Sequence, residues 1–275
     1  WSPIQYRDPS GKPHVVKFVS YTYPFTGSGL GNVAQIQAEK LAEIGHHVSL
    51  VSTNYPKSNK VFRLKNVQHD KIPGLYFLMR LDVPVPIPFI TPSLIKLVRS
   101  ADVVHVHGAM YPTSAIPVLI AKIFRKPIVL TQHVPFIEYP NAIINTVQKI
   151  VLVTMGRFVF SSTDQIIVLN EAVKSMLQSY EHKVQLIPNG VDTELFHPVS
   201  LEEKQQLRTK HGFDIDRNIV LFVGRLVPKK GFDIVYNLQS ENYLVVCVGA
   251  GEVPLQMQNN PNVLFLGNQS QHELK

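Results

Sequence analysis

The sequence has little cysteine and little charge, and each scarcity excludes a class of protein. Its 275 residues include one cysteine, Cys247, which excludes a disulfide scaffold and a four-thiolate zinc site and fits a reducing compartment. Charged residues make up 17% and hydrophobic residues 45%, a balance that excludes a disordered or low-complexity chain. We therefore expect a globular protein with a buried core.

Long apolar runs and a targeting signal are also missing. The first residues, WSPIQYRDPSGKP, are polar and proline-rich, so we expect no secretory signal there. The stretch from Val103 to Ala121 resembles a membrane span in composition, because it contains no Asp, Glu, Lys or Arg over about 19 residues. This length is near the lower limit for crossing a bilayer. Its two histidines and two prolines would be costly in lipid. We predict a buried strand, a loop and a helix instead.

The net charge is positive, which favours an anionic partner. The formal value of +7 suits a nucleotide, a phosphate, a membrane surface or nucleic acid, and composition does not choose among them. A basic stretch opposed only by Asp70 comprises Lys57, Lys60, Arg63, Lys65 and Lys71. It is either a solvated loop or a contact with an acidic membrane surface. Nucleic acid is not expected, because no aromatic stacking surface accompanies these charges.

Short β-branched runs alternate with amphipathic segments, a pattern typical of parallel sheets covered by helices on both faces. The strand candidates begin at Val15, His47, Gly74, Asp102, Pro127, Gln165 and Val184, and after a polar linker at Asn218, Tyr243 and Asn262. Val33, Ile36, Leu41 and Ile44 predict one face of a helix. We predict a doubly wound α/β fold with domains at residues 1–195 and 196–275. The second domain has only three strands before Lys275, so we expect a C-terminally truncated fragment.

A glycine-rich turn follows the first predicted strand, in the segment TGSGLGNVAQIQAEKLAEIGHHV. Gly27, Gly29 and Gly31 allow close approach of a backbone or a phosphate, and the helix after them presents free N–H groups there. The spacing is not the dinucleotide pattern, since Asn32 interrupts it and no acidic residue closes the second strand. A plain structural turn is the alternative.

A second candidate site lies in FVGRLVPKKGFD. Arg225 and Lys230 flank a loop that joins a predicted strand to a helix beginning near Gly231, and two cations there suit a diphosphate. The alternative is two solvated charges. The C-terminal end of a parallel strand favours the ligand site, because ligands bind at that edge of such sheets.

These segments stand in a recognisable order along the chain. The glycine-rich turn with LAEIGHHV is followed by DVVHVHG, TQH, LIPNGVDTELFHP, GRLVPKKGFD, VGAGEVP and NVLFLG. Together they resemble glycosyltransferase family 4, retaining nucleotide-sugar-dependent enzymes of the GT-B fold, and the similarity runs from about Val15 to Leu266. PNGVD followed by GRLVPKKGFD at this separation is far more specific than the glycine turn.

The resemblance implies two Rossmann-like domains that face a cleft, with the nucleotide sugar held mainly by the second. It implies that Arg225 and Lys230 bind the donor diphosphate with Gly29, that His133 lies near the sugar at the reaction centre, and that Gly249, Gly251 and Gly267 surround the nucleotide. Gly31, His107 and Asn189 are further expected cleft residues. No cofactor and no metal are implied, because fixed cations and N–H groups stabilise the departing diphosphate.

Three pairs of residues imitate other sites. Asp214 and Asp216 form a D-x-D pattern, but they lie outside the expected cleft. His105 and His107 point to one side of a strand, but no third ligand with suitable spacing accompanies them. Glu194 and Glu202 match the spacing of a family glutamate pair but precede GRLVPKKGFD, so the expected pair belongs after Leu274.

The resemblance therefore implies a cytoplasmic, metal-independent, hexosyltransferase-like enzyme, at the inner face of the membrane if it binds lipid. It transfers a sugar from a nucleotide-diphosphate sugar to a lipid-linked, glycan or small-molecule acceptor with retention of configuration, although the fragment itself is expected to be inactive. Acceptor recognition is expected in the loops from Asn54 to Ile72 and from Val83 to Pro92. A GT-B epimerase or phosphorylase and a non-catalytic nucleotide-binding remnant remain alternatives.

Overall fold

The protein consists of two compact units, Trp1–Gly190 and Val191–Lys275. The computed structural model describes residues 15–19, 29–53, 65–77, 85–138, 141–227, 230–240, 242–253, 257, 259–270 and 273–274. The division between the units lies in the PNGVD segment, a few residues before the domain boundary that the sequence predicts.

The first unit is built on a parallel sheet of seven strands. The unit's strands are β1 (Val15–Val19), β2 (His47–Thr53), β3 (Gln68–Ile72), β4 (Gly74–Phe77), β5 (Val85–Pro88), β6 (Val103–His107), β7 (Ile128–Gln132), β8 (Gln165–Val168) and β9 (Val184–Leu186). The sheet order is β3-β2-β1-β6-β7-β8-β9, and every neighbouring pair is parallel. The chain reverses direction beside β1, which is the arrangement of a doubly wound fold.

Helices cover this sheet and produce two core clusters. They are α1 (Gly29–Glu43), α2 (Pro92–Arg99), α3 (Pro112–Ile123), α4 (Ala142–Val151), α5 (Arg157–Ser162) and α6 (Glu171–Met176). Polar caps explain several of the helix starts. Thr91 Oγ1 accepts the Leu94 N–H before α2, and Asn141 Oδ1 accepts two N–H groups before α4, a typical N-cap arrangement. One core cluster involves α1 with β1 and β2, and the other involves α2, α3 and α5 with the central strands.

The third predicted strand is present, but it does not join the main sheet. The third strand of the main sheet is β3, QHDKI, whereas the predicted segment beginning at Gly74 forms an antiparallel hairpin, β4 with β5. The strand β3 lies at the edge of the sheet and buries only Ile72 fully, so it does not need the apolar run by which strands were recognised. Most of the loop from Val83 to Pro92 is accordingly the second strand of the hairpin and its exit.

The predicted helix after the glycine-rich turn is confirmed, but its predicted apolar face is only partly right. In α1 the buried residues are Gly31, Ala34 and Ala38, whereas Ile36 is 40% exposed. Small residues at this spacing let the helix approach β1 and β2 closely, so the bulky side chains turn away from the sheet. Apolar periodicity therefore located the helix but not its contact face.

The segment from Val103 to Ala121 is a buried strand, a short loop and part of α3, as predicted.

A second apolar helical segment was not predicted from the sequence. From Ala142 to Ser162 the chain runs through α4, a π-helical turn at Leu152–Gly156 and α5, and it is long and apolar enough to cross a membrane by length and composition. It connects β7 to β8, which pair with each other in the sheet.

The second unit contains a three-stranded parallel sheet, and its three predicted strands are confirmed. They are β10 (Asn218–Val223), β11 (Tyr243–Val248) and β12 (Val263–Gly267), in that spatial order. Within the described residues, two helices with assigned bounds accompany them, α7 (Leu201–Lys210), which is polar with no buried residue, and the short α8 (Phe232–Tyr236). Phe232 packs with Phe222, Val245 and Cys247 on one face of the sheet.

Candidate active site

Two histidines meet at the C-terminal edge of the first unit's sheet. His107 is the last residue of β6, and His133 directly follows β7. Because β6 and β7 are parallel neighbours, their ends lie side by side, and His107 Nδ1 lies 2.9 Å from His133 Nε2 in a hydrogen bond. His107 is fully buried and His133 half-buried. His107 therefore contacts His133 from the interior of the first unit. It does not line the surface of this unit, contrary to the expectation that it is a cleft residue.

Gln132 holds the loops that surround this pair of histidines. Its Oε1 accepts the Ala109 N–H at 3.0 Å, and its Nε2 donates to the Val134 carbonyl at 2.9 Å. The amide therefore links the loop after β6 to the loop after β7 on either side of His133. Sequence reasoning quoted Gln132 within TQH but assigned it no role, since only the fold shows that both loops lie within its reach.

A third element reaches the same edge of the sheet. Gly108 has φ of +78°, and a methyl group built there would lie 3.0 Å from the Tyr111 ring and 3.8 Å from Leu30 Cδ1. The first turn of α1, which contains Gly29 and Leu30, is therefore close to the loop after His107. The first N–H groups of a helix lack partners within it and attract anions. Gly29 itself is exposed with open space around its Cα.

The histidines are uncharged at neutral pH. Burial lowers the pKa of His133 to about 4, and burial together with the nearby His133 lowers the pKa of His105 to about 3. The pKa of His107 also lies well below its usual value because of burial and then of the two neighbouring rings. Each neutral ring has one N–H and one bare nitrogen. The cluster can thus donate and accept hydrogen bonds but does not supply a positive charge near pH 7.

His105 is a structural residue of the strand. Its ring stacks on that of His107 with centroids 4.8 Å apart, and its Nε2 lies 2.8 Å from Thr131 Oγ1 in a buried hydrogen bond. Among the residues that the structure describes, no group of three or more His, Cys, Asp or Glu side chains could hold a metal ion.

The second unit gathers its candidate residues at the C-terminal edge of its own sheet. Backbone bonds connect the three strand ends: the Gly224 N–H donates to the Val248 carbonyl, the Leu226 N–H to Ala250 and the Gly249 N–H to Gly267. A Cβ on Gly249 would lie 1.9 Å from the Gly224 oxygen, and one on Gly251 would lie 2.7 Å from Leu226 Cβ. Both glycines are therefore required for packing of the loops, whatever else they contact.

Arg225 lies within this group of loops and is half-buried, whereas Lys230 is exposed. The Lys230 N–H donates to the Val227 carbonyl at 3.0 Å, and the next residue, Gly231, has φ of +74°. The N-terminus of the helix beginning near Gly231 was also expected to bind the diphosphate. The helix that follows, α8, has five residues, so the two cations are the stronger feature. Lys229 lies outside the described residues, as does Gly27 of the first unit.

The remaining predicted residues are surface groups. Asn189 is exposed, and Asp192 of the same motif accepts the N–H groups of Glu194 and Leu195 at 3.1 Å each, so the motif folds into a local turn. Asp214 accepts the Asp216 N–H at 2.9 Å. One Asp214 oxygen is thus engaged within its own loop.

Comparisons with known proteins give a consistent result. The model of Glycosyltransferase Family 4 matches residues 27–195. An uncharacterized glycosyltransferase of Methanocaldococcus jannaschii is 25% identical over 92% of this chain and 69% of its own length. The phosphatidylinositol N-acetylglucosaminyltransferase GPI3 subunit of Saccharomyces cerevisiae is 25% identical over 81% of this chain and 48% of its own length.

A solved structure shows the same fold. The Anabaena protein HepE in complex with UDP-glucose superimposes with a TM-score of 0.66 at 14% identity, over 94% of this chain and 70% of that one. Together with the two parallel sheets described above, this likeness confirms the predicted α/β class of GT-B type.

Proposed function

Since the chain belongs to glycosyltransferase family 4, we propose that it transfers a sugar from a nucleotide-diphosphate sugar to an acceptor hydroxyl with retention of configuration. The observation that carries the proposal is the group of loops at the C-terminal edge of the second sheet, where Arg225 and the three connected strand ends come together. Ligands of open parallel sheets bind at this edge. The UDP-glucose held by HepE is of the proposed donor class.

Arg225 and Lys230 would stabilise the leaving group. Cleavage of the bond between the sugar and the phosphate concentrates negative charge on the departing diphosphate. Guanidinium and ammonium groups fixed in the site lower the energy of that charge without having to reorganise during the reaction. We therefore propose a metal-independent reaction that uses no cofactor.

His133 would position the sugar rather than act as an acid. With its pKa lowered to about 4, the ring is neutral under working conditions, so it has no readily released proton beyond its single N–H. Its Nε2 is occupied by the bond to His107, which leaves Nδ1 for a hydroxyl or carbonyl of the substrate. The fully buried His107 fixes the tautomer and the orientation of His133, a role that second residues behind catalytic histidines commonly have.

The proposal also includes the class of acceptor and the cellular location of the protein. We expect a lipid-linked, glycan or small-molecule acceptor, recognised by the hairpin β4–β5 and its surroundings in the first unit. A cytoplasmic location suits the buried, free thiol of Cys247 and the supply of nucleotide sugars.

The test is to measure nucleoside diphosphate release from a panel of nucleotide sugars with and without candidate acceptors, and to determine the anomeric configuration of the product by NMR. Release that requires an acceptor and gives a product with retained configuration supports the proposal. Conversion of the donor in the absence of any acceptor would favour the epimerase alternative. Consumption that requires inorganic phosphate would favour a phosphorylase.

A further inference from the structure

Gln132 places a buried amide at the end of β7. Its side chain is 4% exposed, and the four residues before it in the strand are buried as well. An amide that is removed from water costs free energy unless its donor and its acceptor are both bonded. Both are bonded here, since Oε1 accepts the Ala109 N–H and Nε2 donates to the Val134 carbonyl. The position therefore requires a group that accepts on one side and donates on the other.

The bond to Ala109 connects the two loops where both strands have ended. The Gly108 N–H still donates to the Thr131 carbonyl at 2.9 Å, as a residue of the sheet would. Gly108 itself has φ of +78°, a left-handed value that an extended strand does not contain. The next N–H along the chain is that of Ala109, and its partner is the Gln132 side chain. The amide thus extends the link between β6 and β7 beyond the backbone hydrogen bonds.

The bond to Val134 encloses His133. Because Nε2 of Gln132 reaches the carbonyl two residues ahead, a ring of atoms closes around the His133 backbone. A side chain that bonds the backbone two residues on restricts the dihedral angles between them, and these angles set the direction of the His133 Cα–Cβ bond. His107 holds the imidazole separately, at its Nε2. Gln132 therefore fixes where the His133 side chain begins, and His107 fixes where its ring points.

We propose that Gln132 is a positioning residue of the transfer reaction, which acts through His133 by holding the backbone that carries it. The inference rests on the proposed function, in which Nδ1 of His133 contacts the substrate. A misplacement of about 1 Å in a reacting site can cost roughly 100-fold in rate. Gln132 is buried and belongs to the first unit, so its loss should lower kcat and leave the affinity for UDP unchanged.

The two bonds require an amide rather than a carboxylate. A carboxylate at this position could accept the Ala109 N–H, but it would repel the Val134 carbonyl because both groups are acceptors. A protonated carboxyl group has one O–H that could donate to that carbonyl. Burial raises the pKa of a carboxyl group, so Gln132→Glu should keep both bonds in mild acid and lose one as the pH rises. Gln132→Met, of similar length, lacks both bonds at every pH.

The first test is NMR of the chain labelled with nitrogen-15 in its histidines. There are 11 of these, so the His133 signals are assigned by their loss in His133→Asn. The unaltered protein should show one tautomer of His133 near neutral pH. Gln132→Met should give shifts averaged between two tautomers, with the pKa of His133 moved from about 4 towards 6.5. Gln132→Glu should move reversibly from native to displaced shifts between about pH 5 and pH 8, a range in which the unaltered ring stays neutral.

The matched control is Thr163→Val. Thr163 is 3% exposed, and its Oγ1 donates to the Phe160 carbonyl at 3.0 Å, so this variant also loses a buried bond from a side chain to the backbone. Thr163 precedes β8 and thus lies at the opposite edge of the parallel sheet from His133. Its removal should reduce stability without changing the His133 signals.

The second test is kinetic and uses the full-length enzyme. Gln132→Met should lower kcat by roughly 10- to 100-fold with the Kd of UDP unchanged, and Thr163→Val should alter neither. Activity of Gln132→Glu should fall with rising pH relative to the unaltered enzyme, which contains the same histidines and supplies the baseline.

Native His133 shifts in Gln132→Met, or equal displacement in Thr163→Val, would overturn the role of Gln132. If Gln132→Met does not fold, Gln132→Glu decides: displaced shifts that return on acidification support the proposal, and shifts that do not respond to pH overturn it. These outcomes leave the proposed function intact. A full-length unaltered enzyme that transfers no sugar would instead contradict the proposed function and, with it, a role of Gln132 in the reaction.

Discussion

The two units have the same strand–helix–strand construction, but they hold their candidate residues in different ways. In the first unit every residue of β7 is buried, and the reactive edge consists of neutral histidines fixed by side-chain hydrogen bonds. In the second unit Leu221 and Val223 of β10 remain 54% exposed, and the reactive edge consists of cations on loops tied together by backbone bonds. The first unit therefore offers uncharged hydrogen-bonding groups at this edge, and the second offers positive charge; in the proposed function the former orient the sugar and the latter bind the diphosphate.

The largest expected effect is on the backbone of the second unit. Gly249→Ala would place a Cβ 1.9 Å from the Gly224 oxygen, so the loops must separate, and we expect a loss of roughly 3–5 kcal/mol in the unfolding free energy of this unit. Chemical denaturation and limited proteolysis should show the second unit opening while the first stays protected.

The matched control is Gly267→Ala. This residue has φ of +66°, but nothing lies within 4 Å of its Cβ position. Only the backbone strain remains, about 1–2 kcal/mol. Equal losses for the two variants would show that the close packing of the loops does not stabilise the unit.

Acid should affect the first unit more than the second. The pKa of His133 is lowered to about 4 and that of His105 to about 3 by burial, whereas an unfolded histidine titrates near 6.5. Below 6.5 the unfolded chain therefore binds more protons, so this stability is present above pH 6.5 and is lost as the pH falls towards 4. At about 1.4 kcal/mol per pH unit, this loss is at most roughly 3–4 kcal/mol for His133 and roughly 5 kcal/mol for His105, for which the last part comes only below pH 4.

Urea denaturation at several pH values would measure this loss. Within the described part of the second unit, His197 and His211 are exposed, so its transition should depend less on pH over the same range. His105→Asn should weaken the pH dependence of the first unit, although it also weakens the fold. A second unit that loses more stability in acid than the first would contradict the assignment of buried neutral histidines.

A smaller effect is expected when the support behind His133 is removed. His107→Leu eliminates the bond between His107 Nδ1 and His133 Nε2, so His133 loses its fixed orientation. In the full-length enzyme we expect kcat to fall roughly tenfold, as for one hydrogen bond, with little change in the affinity for UDP. His107→Asn keeps a polar group in that position and should recover part of kcat. An unchanged kcat in His107→Leu would remove His107 from the mechanism.

The smallest effect is expected from metal removal. If Arg225 and Lys230 neutralise the diphosphate, EDTA should leave the turnover of the full-length enzyme unchanged. Loss of turnover that manganese or magnesium restores would contradict metal-independent transfer and would return Asp214 and Asp216 to consideration.

Sequence patterns predicted the fold where burial was uniform. The runs at Val103, Ile128 and Tyr243 are apolar because both faces of those strands are covered, so composition alone identifies them. The edge strand β3 and the inward face of α1 were mispredicted, because an edge strand need not be apolar and because alanine packs closely without a strong signal. Sequence placed Arg225 and His133 at strand ends. It could not show that His107 supports His133 or that Gln132 bridges two loops, since both depend on the neighbouring order of β6 and β7.

The measurement that most directly tests the division of roles is calorimetric titration with UDP. Arg225→Ala and Lys230→Ala should each weaken binding by roughly 10- to 150-fold, the loss typical of a charge-assisted hydrogen bond. Lys229→Ala, which changes the adjacent lysine of the motif, and Lys204→Ala, in the exposed helix α7, should change it little. His133→Ala in the first unit should leave UDP affinity nearly unaltered. Equal losses at Lys229 and Lys230, or full affinity without Arg225, would contradict a diphosphate site in the second unit.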